Sequence, residues 1–136
     1  MSKKTAIFSI LALMLMTYLG TGDIASAFED KWDQSVKIVL NLSTYGFGTP
    51  DQRYAIETML AKMDRFIKKN NAGEVKESNF VGGGQHIIYI IGPDADRIYS
   101  IVEPILKEFP VTRSAVITKR YGDISNPDAR EEIINF

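Results

Sequence analysis

The sequence predicts an α+β domain with helices laid on one face of an antiparallel sheet, and three observations predict it. Short runs alternate apolar residues with a period of two, two longer stretches repeat them at helical spacing, and capping or turn signals stand between. The segments follow in the order β-α-β-β-α-β. At 136 residues and 45% hydrophobic composition the chain has material for one core, and no repeat or linker divides it.

Val36 to Ser43 opens the order as a strand, with Val36, Ile38, Leu40 and Leu42 on one face and Val39 on the other. After Thr44-Tyr45-Gly46-Phe47-Gly48, the run Thr49-Pro50-Asp51-Gln52 is a helix start: a Thr cap, a proline at the first helical position and a Thr-x-x-Gln capping box. Ile56, Met59, Leu60, Met63, Phe66 and Ile67 keep the helical period, and Lys68, Lys69, Asn70, Asn71 and Gly73 close it. Glu74 to Ser78 is a short polar strand of edge type. Gln85 to Ile91, apolar on both faces, is a central one. Gly92-Pro93-Asp94 starts a second helix with a stripe of Ile98, Ile101, Val102, Ile105 and Phe109; Pro104 is expected to kink it or loosen its last turns, and Pro110 to end it. Arg113 to Arg120 is the fourth strand. The tail 121–136 carries a cap-plus-proline signal at Asn126-Pro127, and its end, EEIINF, fits a short helix or an added strand equally.

Four antiparallel strands ordered 4-1-3-2 under two helices form the ferredoxin-like split βαβ arrangement, the simplest closure with right-handed crossovers. Ahead of it, Lys3 and Lys4, the uncharged stretch Thr5 to Leu19 and the small-x-small site Ala25-Ser26-Ala27 read as a signal peptide over 1–27. The h-region is shorter than the roughly 20 apolar residues that span a bilayer, although retention as an anchor is the rival reading. The expected product is a single domain over 28–136, exported to a periplasmic or secreted location, with no membrane association after cleavage.

With no cysteine, thiolate ligands and cysteine nucleophiles are excluded, and an exported chain must be held by its core. A net charge of −1 argues against a dominant phosphate-binding surface and so against nucleic acid. One histidine and scattered carboxylates give no metal-ligand spacing, and no cofactor motif appears. His86, alone of its type, is more often structural than catalytic at such a position, and no Ser-His-Asp set is singled out by spacing.

The topology gathers the informative residues at one end of the sheet. Tyr45, Gly46, Phe47 and Gly48 would lie near Asn79, Phe80, Gly82, Gly83, Gly84 and His86, with 109–113 close by. If a ligand site exists, it is expected there, on Tyr45, Gly46, Phe47, Gly48, Gly82, Gly83, Gly84 and His86. The glycine triplet precedes a strand and opens no helix, so its default role is a hairpin device. Gly46-Phe47-Gly48 does lead into a helix, but Asp51 in the first turn would repel an anion. Arg53 and Asn79 form the alternative catalytic pair: a basic group and an amide beside the loop after the first strand resemble acylphosphatases, in topology only, because their longer loop motif is missing. The other candidate surface is the sheet face away from the helices. Val39, Asn41 and one register of 86–91 make it more apolar than water favours, and the tail, a second copy or a protein partner would cover it.

GGG-x4-YIIGPDAD, then IVEPIL and a strand ending in KRYG, resembles a group of small, mostly uncharacterised bacterial proteins. The residues carrying the likeness are Gly82, Gly83, Gly84, Gly92, Pro93, Asp94, Ala95, Asp96, Pro104, Tyr121 and Gly122. The resemblance implies a ferredoxin-like fold and no particular activity. The expectation for function is therefore a small exported, non-enzymatic binding module of immunity, inhibitor or envelope-accessory type. The alternative is a small hydrolase of acyl-phosphate or phosphate compounds at the glycine end.

Overall fold

The alternation of Val36, Ile38 and Leu40 places three fully buried side chains on one face of the first strand, β1 (Gln34–Asn41), which lies in the middle of the sheet. A computed structural model describes residues 32–43 and 46–136. The expected leader at 1–27 and Tyr45 lie outside the described residues. Helix α1 (Pro50–Lys69) follows, then β2 (Glu74–Gly82), β3 (Gln85–Gly92), α2 (Ala95–Lys107), a 3-10 turn at Pro110–Thr112, β4 (Val116–Tyr121) and β5 (Arg130–Asn135). The fold is α+β, and its sheet has five antiparallel strands in the order β2-β3-β1-β4-β5.

The expected four-stranded sheet is thus corrected to five. The tail does not fold over the open face. It turns back and pairs with β4, and Phe136 N–H donates to the Ala115 carbonyl at 2.9 Å. The pairing is encoded in charge: Lys119 stands opposite Glu132, Arg120 opposite Glu131 and Tyr121 opposite Arg130. Such cross-strand pairs each contribute only a few tenths of a kcal/mol to about 1 kcal/mol, so β5 rests on several at once. Four of its first residues are exposed, and only Ile134 packs against the core.

Both helices lie on the face that carries Val36, Ile38, Leu40, Ile88, Ile90 and Ile117, all fully buried, against Ile56, Met59, Met63 and Ile67 of α1 and Ile98, Val102 and Leu106 of α2. Each such side chain stabilises the fold by roughly 1.5–3 kcal/mol. The capping box of α1 forms as its sequence implies: Thr49 Oγ1 accepts from Gln52 N–H at 3.2 Å and Gln52 Oε1 accepts from Thr49 N–H at 3.0 Å. Asp94 caps α2, which runs on through Pro104 and ends before Pro110. Two strand boundaries move. β2 continues four residues past Ser78 to Gly82, and the segment 110–112 is a 3-10 turn, so β4 starts at Val116.

Where the connection from α1 passes the end of β3, the backbones touch. A Cβ on Gly92 would collide with the Ala72 carbonyl oxygen, and glycine is required there for close approach.

Candidate functional site

The hairpin joining β2 to β3 turns on Gly83 and Gly84, whose φ of 61° and 76° are both in the left-handed region. Two positive-φ residues between antiparallel strands make the tight turn whose twist matches the strands it joins. Gly82 is left-handed too, at a register shift between Phe80 and Gly82 that leaves Val81 unpaired. A Cβ built on Gly82 or Gly83 would meet nothing within 4 Å. The triplet therefore shapes the backbone, and the space beside Gly82 and Gly83 is open.

Nearby, the structure brings together part of the expected set. Phe47 packs edge-on to Phe80, centroids 5.8 Å apart, and Phe80 packs edge-on to His86 at 4.2 Å. His86 faces the helices and is 3% exposed. Its Nε2 lies 2.6 Å from Ser78 Oγ, while Nδ1 is buried without a hydrogen-bond partner. Burial lowers the imidazole pKa below its ordinary value and keeps the ring neutral. A serine hydroxyl within reach of a neutral imidazole is two-thirds of a nucleophile-activating set. The remaining third, a carboxylate bonded to Nδ1, is not in place. What the arrangement holds is an aromatic wedge around a neutral, half-satisfied histidine.

Gly46 and Gly48 also adopt positive φ, and a Cβ on Gly48 would press on Leu42 Cδ1 at 2.8 Å. The Arg53 guanidinium is occupied, with Nη1 donating to the Gly48 carbonyl at 2.8 Å, and so it ties down the loop. Asn79 pairs with Ile87 and shares its face, away from the helices, whereas Arg53 stands on α1. The structure does not join those two residues. The approach of the 109–114 segment does occur: Asn41 Nδ2 donates to the Ser114 carbonyl at 2.6 Å, and Gln85 Nε2 to Asn41 Oδ1 at 3.2 Å. A groove of about 290 Å³ opens there between Phe109, Arg113, Ser114 and Phe136.

A second polar cluster lies between α2, β4 and β5. Lys119, 8% exposed, donates to Asp96 Oδ1 at 2.9 Å and reaches Glu132 Oε2 at 3.2 Å. The Tyr121 hydroxyl bonds the same two carboxylates, Tyr99 lies beneath the ammonium at 5.2 Å, and Arg130 covers the Tyr121 ring at 4.1 Å. The bonds to Asp96 hold the Lys119 ammonium well above the ordinary lysine range. Tyr121 and then Lys119 hold the Asp96 carboxyl below its own. Every charge here is met by another, so the cluster fastens β5. Among the described residues no group of three or more His, Cys, Asp or Glu is arranged to hold a metal ion, and no helix is long and apolar enough to cross a membrane.

The face of the sheet away from the helices has three aligned rows. Asn79, Ile87, Val39, Val116 and Asn135 form one; Glu77, Tyr89, Lys37, Thr118 and Ile133 the next; Glu74, Ile91, Ser35, Arg120 and Glu131 the last. Ile133 is 63% exposed, Val39, Ile87, Tyr89, Ile91 and Val116 are half-buried, and Ser35 is buried. Tyr89 Oη sits 3.2 Å from Ser35 Oγ. Lys37, at the centre, makes no ion pair among the described residues, nor does Glu77 two strands away. Comparison with models of protein families, with curated proteins and with solved structures gave no match.

Proposed function

We propose that the chain is a small exported, non-enzymatic binding module on a ferredoxin-like split βαβ scaffold extended by β5, of immunity, inhibitor or envelope-accessory type. Its working surface is the open sheet face. The observation that carries this reading is the set of apolar side chains Val39, Ile87, Tyr89, Ile91, Val116 and Ile133, spread over the three rows of a face that the tail widens and does not fold over. Contiguous apolar surface rimmed by polar groups is characteristic of interaction sites. Export is supported by the leader pattern in 1–27, with delivery to the periplasm or the medium.

Photo-crosslinking tests the assignment. With p-benzoylphenylalanine in place of Tyr89, full-length chain irradiated in the expressing cell forms a protein adduct. The same reporter at Glu57, on the exposed side of α1, forms none. No adduct from position 89, or equal adducts from both, would overturn the reading. Hydrolysis of acetyl phosphate by the purified chain, lost on Arg53→Ala, would replace it with the hydrolase.

A further inference from the structure

We propose that the partner seated on the open face is a second copy of this chain, packed sheet to sheet about a two-fold axis that runs along the strands between β1 and β3. The inference rests on the reading of that face as the interaction surface. It comes from the residue rows, which are self-complementary under this one operation.

Rotation about that axis lays β3 of one protomer on β1 of the other and β2 on β4, and it keeps each row on itself. In the first row Ile87 then meets Val39, and Asn79 meets Val116, each contact made twice. In the central row Tyr89 lies over Lys37 of the other copy, and Glu77 over Thr118. Adjacent strands stand about 4.8 Å apart, so the ammonium above the Tyr89 ring has the Glu77 carboxylate beside it. In the last row Glu74 meets Arg120, which Glu131 already pairs. Aligned sheets cross at about 30°, a rotation about the sheet normal that displaces the outer rows most and leaves the central row, nearest the crossing point, in register.

Charge selects this occupant over an unrelated one. Covering Lys37 with apolar surface alone would strand a cation, at a cost of several kcal/mol per buried ion. The second copy brings an aromatic ring and a carboxylate to each Lys37, and Lys37 and Glu77, the two charges of the face without an ion pair among the described residues, answer one another across the interface. The footprint suffices as well. The four overlapping strands at about 4.8 Å by about eight residues at about 3.3 Å give roughly 500 Å² of flat area per partner, about 1,000 Å² in total before side-chain relief is added, which meets the lower bound of a specific interface. β5 then overhangs the pair and keeps its own edge.

Sedimentation equilibrium on the purified full-length chain, as the host processes it, reads the outcome. The expected result is a mass of two protomers, with Lys37→Glu and Glu77→Lys each weakening association about a hundredfold while far-ultraviolet dichroism stays unchanged. Val39→Asp, in the apolar row, gives a monomer. A monomer at about 100 µM, or a dimer indifferent to Lys37→Glu and Val39→Asp, overturns the proposal. If a monomeric chain still gives an adduct from position 89, the face is an interaction surface for a different protein. If position 89 gives no adduct, the reading beneath the proposal fails with it.

Discussion

Acidification through the range of pH 7.5 to 5 is expected to destabilise the fold through His86. The ring is 3% exposed and its pKa is lowered by burial, whereas an unfolded histidine titrates near 6.5. The unfolded chain therefore binds a proton that the folded chain refuses. Stability is complete above about pH 6.5 and falls as pH drops toward the folded pKa, with a limiting slope of about 1.4 kcal/mol per pH unit. It is the only histidine, and unfolded carboxylates titrate near 4, so this window belongs to it. The loss is read as a urea midpoint that falls with pH below about 6.5, no faster than that limiting slope allows. His86→Leu removes the titration. It also removes the orphaned Nδ1, whose desolvation costs about 1–3 kcal/mol, and the bond to Ser78, worth about 1 kcal/mol. The variant should match the parent within about 1 kcal/mol near pH 8 and exceed it near pH 5.5. Urea titrations at four pH values decide the matter. A parent midpoint that is flat from pH 7.5 to 5, or an equal slope in His86→Leu, would refute the burial argument.

Three other perturbations separate the parts of the fold. Gly92→Ala forces a Cβ onto the Ala72 carbonyl and should cost about 3 kcal/mol in chemical denaturation, whereas Gly83→Ala, in open space at positive φ, should cost about 1–2 kcal/mol. Thr49→Ala breaks the capping box of α1 and should cost about 1 kcal/mol, with Thr49→Ser restoring it. Lys119→Met removes the cation between Asp96 and Glu132. Amide exchange over residues 130–135 should quicken by on the order of tenfold while β1 and β3 keep their protection.

What was legible in the sequence follows from how local each signal is. The capping box at Thr49 and Gln52, the period-two run of β1 and the stripes of α1 and α2 are short-range, and each element formed within a few residues of its expected bounds. β5 was not legible by periodicity because its two adjacent isoleucines suit either a helix or a strand. The signal that decides it is long-range: KRY at 119–121 reads as the antiparallel charge complement of REE at 130–132. The contact of Ser78 with His86 depends on the bulge at Val81, which shifts the hairpin register by one, and no local rule places that bulge. Arg53 and Asn79 fell apart for a simpler reason. Alternation puts Asn79 on the face opposite the helices, and the parity of a strand is fixed only by its pairing.

The pair of charge variants, mixed, tests the self-association of the open face most directly. A chain with Lys37→Glu has two carboxylates where the interface needs a pair, and one with Glu77→Lys has two ammonium groups. Each alone should self-associate about a hundredfold more weakly than the parent, and at a concentration where the parent is dimeric and such weakening leaves little dimer it should sediment largely as a monomer. In an equimolar mixture both cross-interface contacts become complementary again, and a heterodimer should form with an affinity near that of the parent. Variants that stay monomeric when mixed, or that dimerise as well alone as together, would contradict the account.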